Sequence, residues 1–155
     1  MIKKSFKKTE HFDLKLAIVN MFMRSGKKRT SEKILQKASK RSQKLSTKNF
    51  KKLTKTSLVN LTSAFKINEQ VVRKGRRKTI KVLPAFLART SRRVSASLKL
   101  VQETSHTHKK SLSFYEAFAS ELMVSFSLRS QSFEAKTEIQ KQVLTNKKYL
   151  SKFRW

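Results

Sequence analysis

Two glycines and one proline in 155 residues leave this chain little with which to interrupt a helix. Gly75 and Pro84 both fall in the stretch 65–87, where the patterning changes. Ile67, Val71, Val72, Ile80, Val82, Leu83, Phe86 and Leu87 are β-branched or bulky and favour extended structure. A β-hairpin with its turn near residues 74–78 is the simplest reading. A long irregular loop is the alternative, and a compact domain tolerates one poorly unless it is functional.

Elsewhere the apolar spacing is helical. Over 12–24, Leu14, Ala17, Ile18, Met21 and Phe22 recur at i, i+3, i+4, i+7 and i+8. Leu16, Val19 and Met23 widen that surface, which predicts a helix buried on most sides. Asp13 suits its positive end, and Ser25-Gly26 supplies a left-handed stop. Thr30-Ser31-Glu32 offers an N-cap for a second helix over 31–41, with Ile34, Leu35 and Ala38 inward and Lys33, Lys37, Lys40 and Arg41 outward. Residues 42–48 read as a loop, and Asn49 caps a third helix carrying Phe50, Leu53, Leu58 and Leu61. After the hairpin come helices over 91–104 (Val94, Leu98, Val101), 111–128 (Tyr115, Phe118, Leu122, Phe126) and 133–149 (Ala135, Ile139, Val143). The expected fold is mainly α, a bundle of about six helices with one protruding basic β-hairpin. Residues 1–11 form a basic arm, and 12–155 a single helical domain.

Charge then bounds the partner. Lys and Arg number 38 against 9 Asp and Glu, a formal net charge of +29. Self-repulsion of that size opposes a compact state unless anions arrive from outside. Nucleic acid is the commonest such polyanion. A membrane is the rival, but no run approaches the roughly 18 apolar residues of a spanning helix. Residues 16–23, the longest apolar run, are broken by Asn20. A surface-bound membrane protein predicts one helix with a cationic face, whereas these cations spread over several turns. Cysteine is absent, which argues against a secreted disulfide scaffold and a thiolate metal site. The basic N-terminus has no signal-peptide core and is short for a transit peptide. The chain is thus expected to be made in the compartment where it works.

Chemistry-bearing motifs are missing. His106-Thr107-His108 lies in a polar stretch without a third ligand nearby, so a solvated loop is favoured over a metal site. Glu116 and Glu121, five apart, do not share a helix face as an acid–base pair does, and read as partners of surrounding cations. There is no glycine-rich phosphate loop and no nucleophile elbow. The expectation is a non-enzyme without cofactor or metal. What remains are cations at junctions between elements: Lys27-Lys28-Arg29, the knot 73–78 and Arg92-Arg93. There, guanidinium and ammonium groups can engage phosphates without disturbing a core.

The order of motifs resembles the family of small-subunit ribosomal protein seven. Residues 16–28, LAIVNMFMRSGKK, followed by Thr30-Ser31-Glu32, are similar to its first two helices and the basic turn between them. The basic hairpin leading to Leu83-Pro84 and Arg92-Arg93 is similar to its β-ribbon. Phe118-Ala119-Ser120-Glu121-Leu122 resembles its L-A-N-E-L, and Lys147-Lys148-Tyr149 with Phe153-Arg154-Trp155 its closing segment. Three departures stand out: a shorter N-terminal arm, Gly75 alone where paired glycines are usual, and Leu98-Lys99-Leu100 where the fourth helix of the bacterial members carries arginine and tryptophan.

The resemblance implies a structural constituent of the small ribosomal subunit. Such a protein binds the 3′ major domain of the ribosomal RNA, organises head assembly, and lies near the exit site for tRNA and mRNA beside ribosomal protein eleven. Carried over by motif, RNA binding falls to Lys27, Lys28, Arg73, Lys74, Arg76, Arg77, Lys78, Arg92, Arg93 and Arg154. Trp155 either stacks on a base or covers the core. No homo-oligomer is implied. The expected location is a mitochondrial ribosome, with chloroplast or bacterial cytoplasm as alternatives. A histone-like protein that compacts DNA is the competing function.

Overall fold

The computed structural model describes residues 13–46, 49–75, 77–107 and 112–152. The arm at 1–11, His11, Arg76, His108, Arg154 and Trp155 lie outside the described residues, as do the side chains of Lys74 and Arg77.

Helix α1 (Leu14–Phe22) begins at Asp13, whose side chain accepts the N–H groups of Lys15 at 3.0 Å and Leu16 at 3.5 Å. These are donors that a first helical turn leaves orphaned. Ile18, Val19 and Phe22 are buried, but Leu16 and Met23 remain 45% and 38% exposed. The helix therefore buries one stripe, not most of its surface. Its C-cap is the extended Met23. Gly26 (φ 72°) and Ser25 (φ 51°) instead form a tight left-handed turn, closed by the Lys27 N–H donating to the Arg24 carbonyl at 3.1 Å.

That turn feeds α2 (Lys28–Leu45), which starts before Thr30 and absorbs much of the expected loop. Thr30 and Ser31 lie within its first turns, and Lys27 is the N-cap without a side-chain hydrogen bond. The missed length has a physical cause. No breaker occurs at 42–45, and buried Ser42 folds its hydroxyl onto the Ala38 carbonyl at 2.9 Å. Helix α3 (Phe50–Leu61) is capped by Asn49, which accepts the Lys51 N–H at 3.0 Å.

Strands β1 (Phe65–Lys74) and β2 (Arg77–Phe86) pair antiparallel from Phe65↔Phe86 to Lys74↔Arg77. Helices α4 (Thr90–Thr107), α5 (Phe114–Phe126) and α6 (Gln131–Thr145) follow, then a 3₁₀ segment (Lys147–Lys152) where a continuous last helix was expected. His106 thus sits in the last turn of α4 and not in a loop.

Helix α5 is the axis, packing on α2, α3, α4 and α6. Its Ala117 and Ala119 let neighbours approach, and Phe118 and Leu122 are fully buried. Phe118 meets Phe22 edge-on at 4.8 Å, which adds geometric preference to burial worth about 1.5–3 kcal/mol. Buried serines stitch the helices together. The Ser57 hydroxyl of α3 reaches the Leu122 carbonyl of α5 at 2.7 Å.

Candidate nucleic-acid interface

Among the described residues the ribbon is anchored at its base. Phe65 and Phe86 pair edge-on at 5.7 Å, and the Leu87 N–H donates to the Ala64 carbonyl at 2.8 Å. Pro84 is buried, β1 rests on α6, and β2 rests on the 3₁₀ segment. Beyond that base, residues 69–71 and 78–81 are exposed, including the cross-strand pair Val71 and Ile80. A two-stranded ribbon is marginal in water without a third layer.

The tip adds electrostatic strain. Register sets Arg73 opposite Lys78 and Lys74 opposite Arg77, two successive rungs of like charge. Like charges directly opposite on adjacent strands repel and destabilise the pairing. Arg73 and Lys78 are exposed, so an anion has open access to them. Gly75 takes φ 58° in the turn between the strands, a conformation that costs glycine nothing.

The starts of α2 and α4 repeat the conflict. Neither α2 nor α4 has an acidic residue in its first turn. Lys27, Lys28 and Arg29 instead crowd the start of α2, and Arg89 and Arg92 that of α4, all of them exposed. Cations at the positive end of a helix dipole are unfavourable, whereas phosphate there is favourable.

Arg93 is placed differently. Its Nε donates to the Leu87 carbonyl at 2.6 Å, and its guanidinium lies 5.4 Å from the Phe86 ring. It clamps the ribbon base to α4. The ribbon, Arg92 and Arg93 thus come together at one end of α4. Lys27 lies near Gln102 and His106 at the other end, where all three line a common cleft. At 1.5 Å per residue the two cationic groups stand roughly 15–20 Å apart along the helix.

Among the described side chains no acid forms an ion pair with these clusters. Glu116 closes a capping box, accepting the Ser113 hydroxyl at 2.7 Å and its N–H at 3.3 Å. Those hydrogen bonds, side chain first and then backbone, hold its pKa below the usual value, with a smaller pull from Arg41. Glu121 is buried and accepts the Ser132 N–H at 2.9 Å and hydroxyl at 2.6 Å. Neither is mainly a partner of cations, contrary to the expectation from sequence. Glu103 pairs with Lys99 at 3.6 Å, but both side chains are mostly exposed, so the pair contributes little. Lys136 is partly withdrawn from the surface: it donates to the Asn60 carbonyl, and partial burial lowers its pKa. Among the described residues no three His, Asp or Glu side chains are grouped to hold a metal.

Sequence reasoning missed Arg24, Gln102 and His106. The Arg24 Nη2 lies 3.3 Å from His106 Nε2 across 82 positions of sequence. No local pattern announces such a contact.

No curated protein matches the chain in sequence. A model of the family described as ribosomal protein S7p/S5e does match, over residues 3–147. That family comprises structural, non-enzymatic proteins of the small ribosomal subunit that bind its RNA, which agrees with a helical body bearing unneutralised cations at a ribbon and two helix starts. Since the match spans nearly all of the 155 residues, the chain belongs to the ribosomal protein S7p/S5e family.

Proposed function

We propose that this protein binds the 3′ major domain of small-subunit ribosomal RNA, organises assembly of the subunit head, and extends its ribbon toward the exit site for tRNA and mRNA, beside ribosomal protein eleven. The observation that carries this reading is the ribbon, whose like-charged rungs and exposed distal half leave it incomplete without an anionic partner. RNA contacts are assigned to Lys27, Lys28, Arg73, Lys74, Arg76, Arg77, Lys78, Arg92 and Arg154. Arg93 is assigned a shared role, since its Nε already holds the ribbon base. The separation of roughly 15–20 Å along α4 favours a folded RNA with phosphates on more than one element.

The test is filter binding of the full chain to a transcript of the RNA head domain and to random duplex DNA of equal length, across a salt series. The head transcript should bind more tightly. Equal affinity for both would favour a histone-like protein. Arg76→Ala with Arg77→Ala should leave the helical circular dichroism intact while reducing the salt slope by about 2, roughly one per lost phosphate contact. An unchanged slope would remove the ribbon tip from RNA binding.

We further assign the protein to a mitochondrial ribosome and to an organelle-encoded gene. Support comes from a composition rich in Lys and Phe with only two Gly, as A/T-rich coding favours. Sedimentation of the protein apart from small subunits in a low-salt mitochondrial lysate would overturn this assignment.

A further inference from the structure

A cleft of about 210 Å³ opens where α1, α2, α4 and α5 meet. Phe22, Ile34 and Phe114 give it apolar walls, while Arg24, Gln102 and His106 bring polar groups to it. The His106 ring stacks on Phe114 with centroids 4.7 Å apart and planes 21° from parallel. Arg24 lies against His106 at 3.3 Å. Gln102 is half-buried, and its amide has no hydrogen-bond partner among the described residues. Exposed Lys27 and Thr30 also line the cleft, and Lys28 follows Lys27 directly.

We infer that this cleft receives one unstacked nucleobase of the bound RNA, with the flanking phosphates held by Lys27 and Lys28. The volume is below the roughly 300–1,000 Å³ of sites for drug-sized ligands, which suits a single planar ring system. Aromatic walls give the base a stacking surface, and an amide offers donor and acceptor together to a Watson–Crick edge. The cations around the opening favour a nucleotide over an apolar peptide segment. The inference rests on the RNA-binding reading above and adds to it a specific contact far from the ribbon.

The experiment is chemical footprinting of small-subunit ribosomal RNA by the full chain. Dimethyl sulfate and a carbodiimide together read the Watson–Crick edges of all four bases. Thr30→Trp fills the cleft from an exposed position, and Gln102→Ala removes the amide without adding bulk. Wild type should protect an unpaired nucleotide whose reactivity returns with both variants at saturating protein, the rest of the footprint being retained. Affinity should fall about tenfold with Thr30→Trp, the loss of one stacked base. Identical protections in all three proteins would overturn the inference, as would follow if a protein segment filled the cleft. No protection anywhere by wild type would sink the RNA-binding reading itself, a distinct outcome.

Discussion

Replacing Glu121 tests how the helical body is locked together. Its Oε1 accepts both the N–H and the hydroxyl of Ser132, at the start of α6. The Ser132 hydroxyl also lies 2.8 Å from Thr104 Oγ1 on α4, so three helices share one buried polar joint. Glu121→Ala strands the Ser132 N–H in a buried site, at a cost of about 1–3 kcal/mol. The hydroxyl can still turn to Thr104, so it is not counted twice. Loss of the buried methylene adds about 0.8 kcal/mol, which gives about 3 kcal/mol in total. For a protein of this size each kcal/mol shifts the melting temperature by about 2–4 °C, so a fall of roughly 6–12 °C is expected. Glu121→Gln keeps an acceptor in place and should cost about 1 kcal/mol.

Thermal unfolding followed by circular dichroism measures both variants. A cycle with Ser132→Ala isolates the shared hydroxyl contact, for which a coupling of about 0.5–3 kcal/mol is expected. A shift below about 2 °C for Glu121→Ala, well under the range expected for this size, would refute the claim that the joint holds α6. Because β1 rests on α6, the alanine variant should also loosen the ribbon base and weaken RNA binding.

Other perturbations separate ribbon, caps and charge. Arg93→Met removes the hydrogen bond to Leu87 and the cation over Phe86, so hydrogen exchange should accelerate in β1 and β2 while α5 amides stay protected; equal protection in wild type and variant would contradict the clamp. Gly75→Val meets no atom within 4 Å but must hold φ 58°, so it should destabilise the ribbon by about 1–2 kcal/mol, and Gly75→Asn by less. For Glu116 the folded pKa lies below the ordinary 4.5, so its contribution is present above that value and lost as pH falls through the lowered one. The melting-temperature gap between wild type and Glu116→Gln should therefore close on acidification, and a gap constant with pH would refute the capping box as its source. Raising salt from about 10 to about 150 mM shortens the screening length from about 30 to about 8 Å. The free protein should then melt higher while its RNA affinity falls; a melting temperature independent of salt would show that self-repulsion is not a significant cost.

What was legible in the sequence followed from period and from caps. Leu53, Leu58, Leu98, Val101, Phe118 and Leu122 recur at helical spacing and are buried. Asp13 and Asn49 cap the helices they precede. The hairpin was readable because β-branched residues flank a lone glycine. The start of α2 was not, because Thr30 and Ser31 resemble a cap while the Gly26 turn fixes the helix earlier, at Lys28. The acids were misread for a similar reason. Exposed ion pairs are worth little, so Glu116 and Glu121 satisfy the orphan donors of helix starts even with many cations nearby. The cleft stayed hidden because it joins α1 to α4 across a long loop closure.

Helix starts also divide the charges that fold the chain from those left for a partner. Asp13, Glu116 and Glu134 stand at the beginnings of α1, α5 and α6, where negative charge offsets the dipole without outside help. The starts of α2 and α4 carry Lys27, Lys28, Arg89 and Arg92 with no acid in their first turns. The same side chains on a protein selected only for stability would be replaced by Asp or Ser at small cost to packing, because they are exposed. Their presence at the starts of α2 and α4 and across two rungs of the ribbon fits the proposal that phosphate completes all three. A helical frame closed by its few acids, with its cations held open for RNA, accounts for both the +29 charge and the folded core.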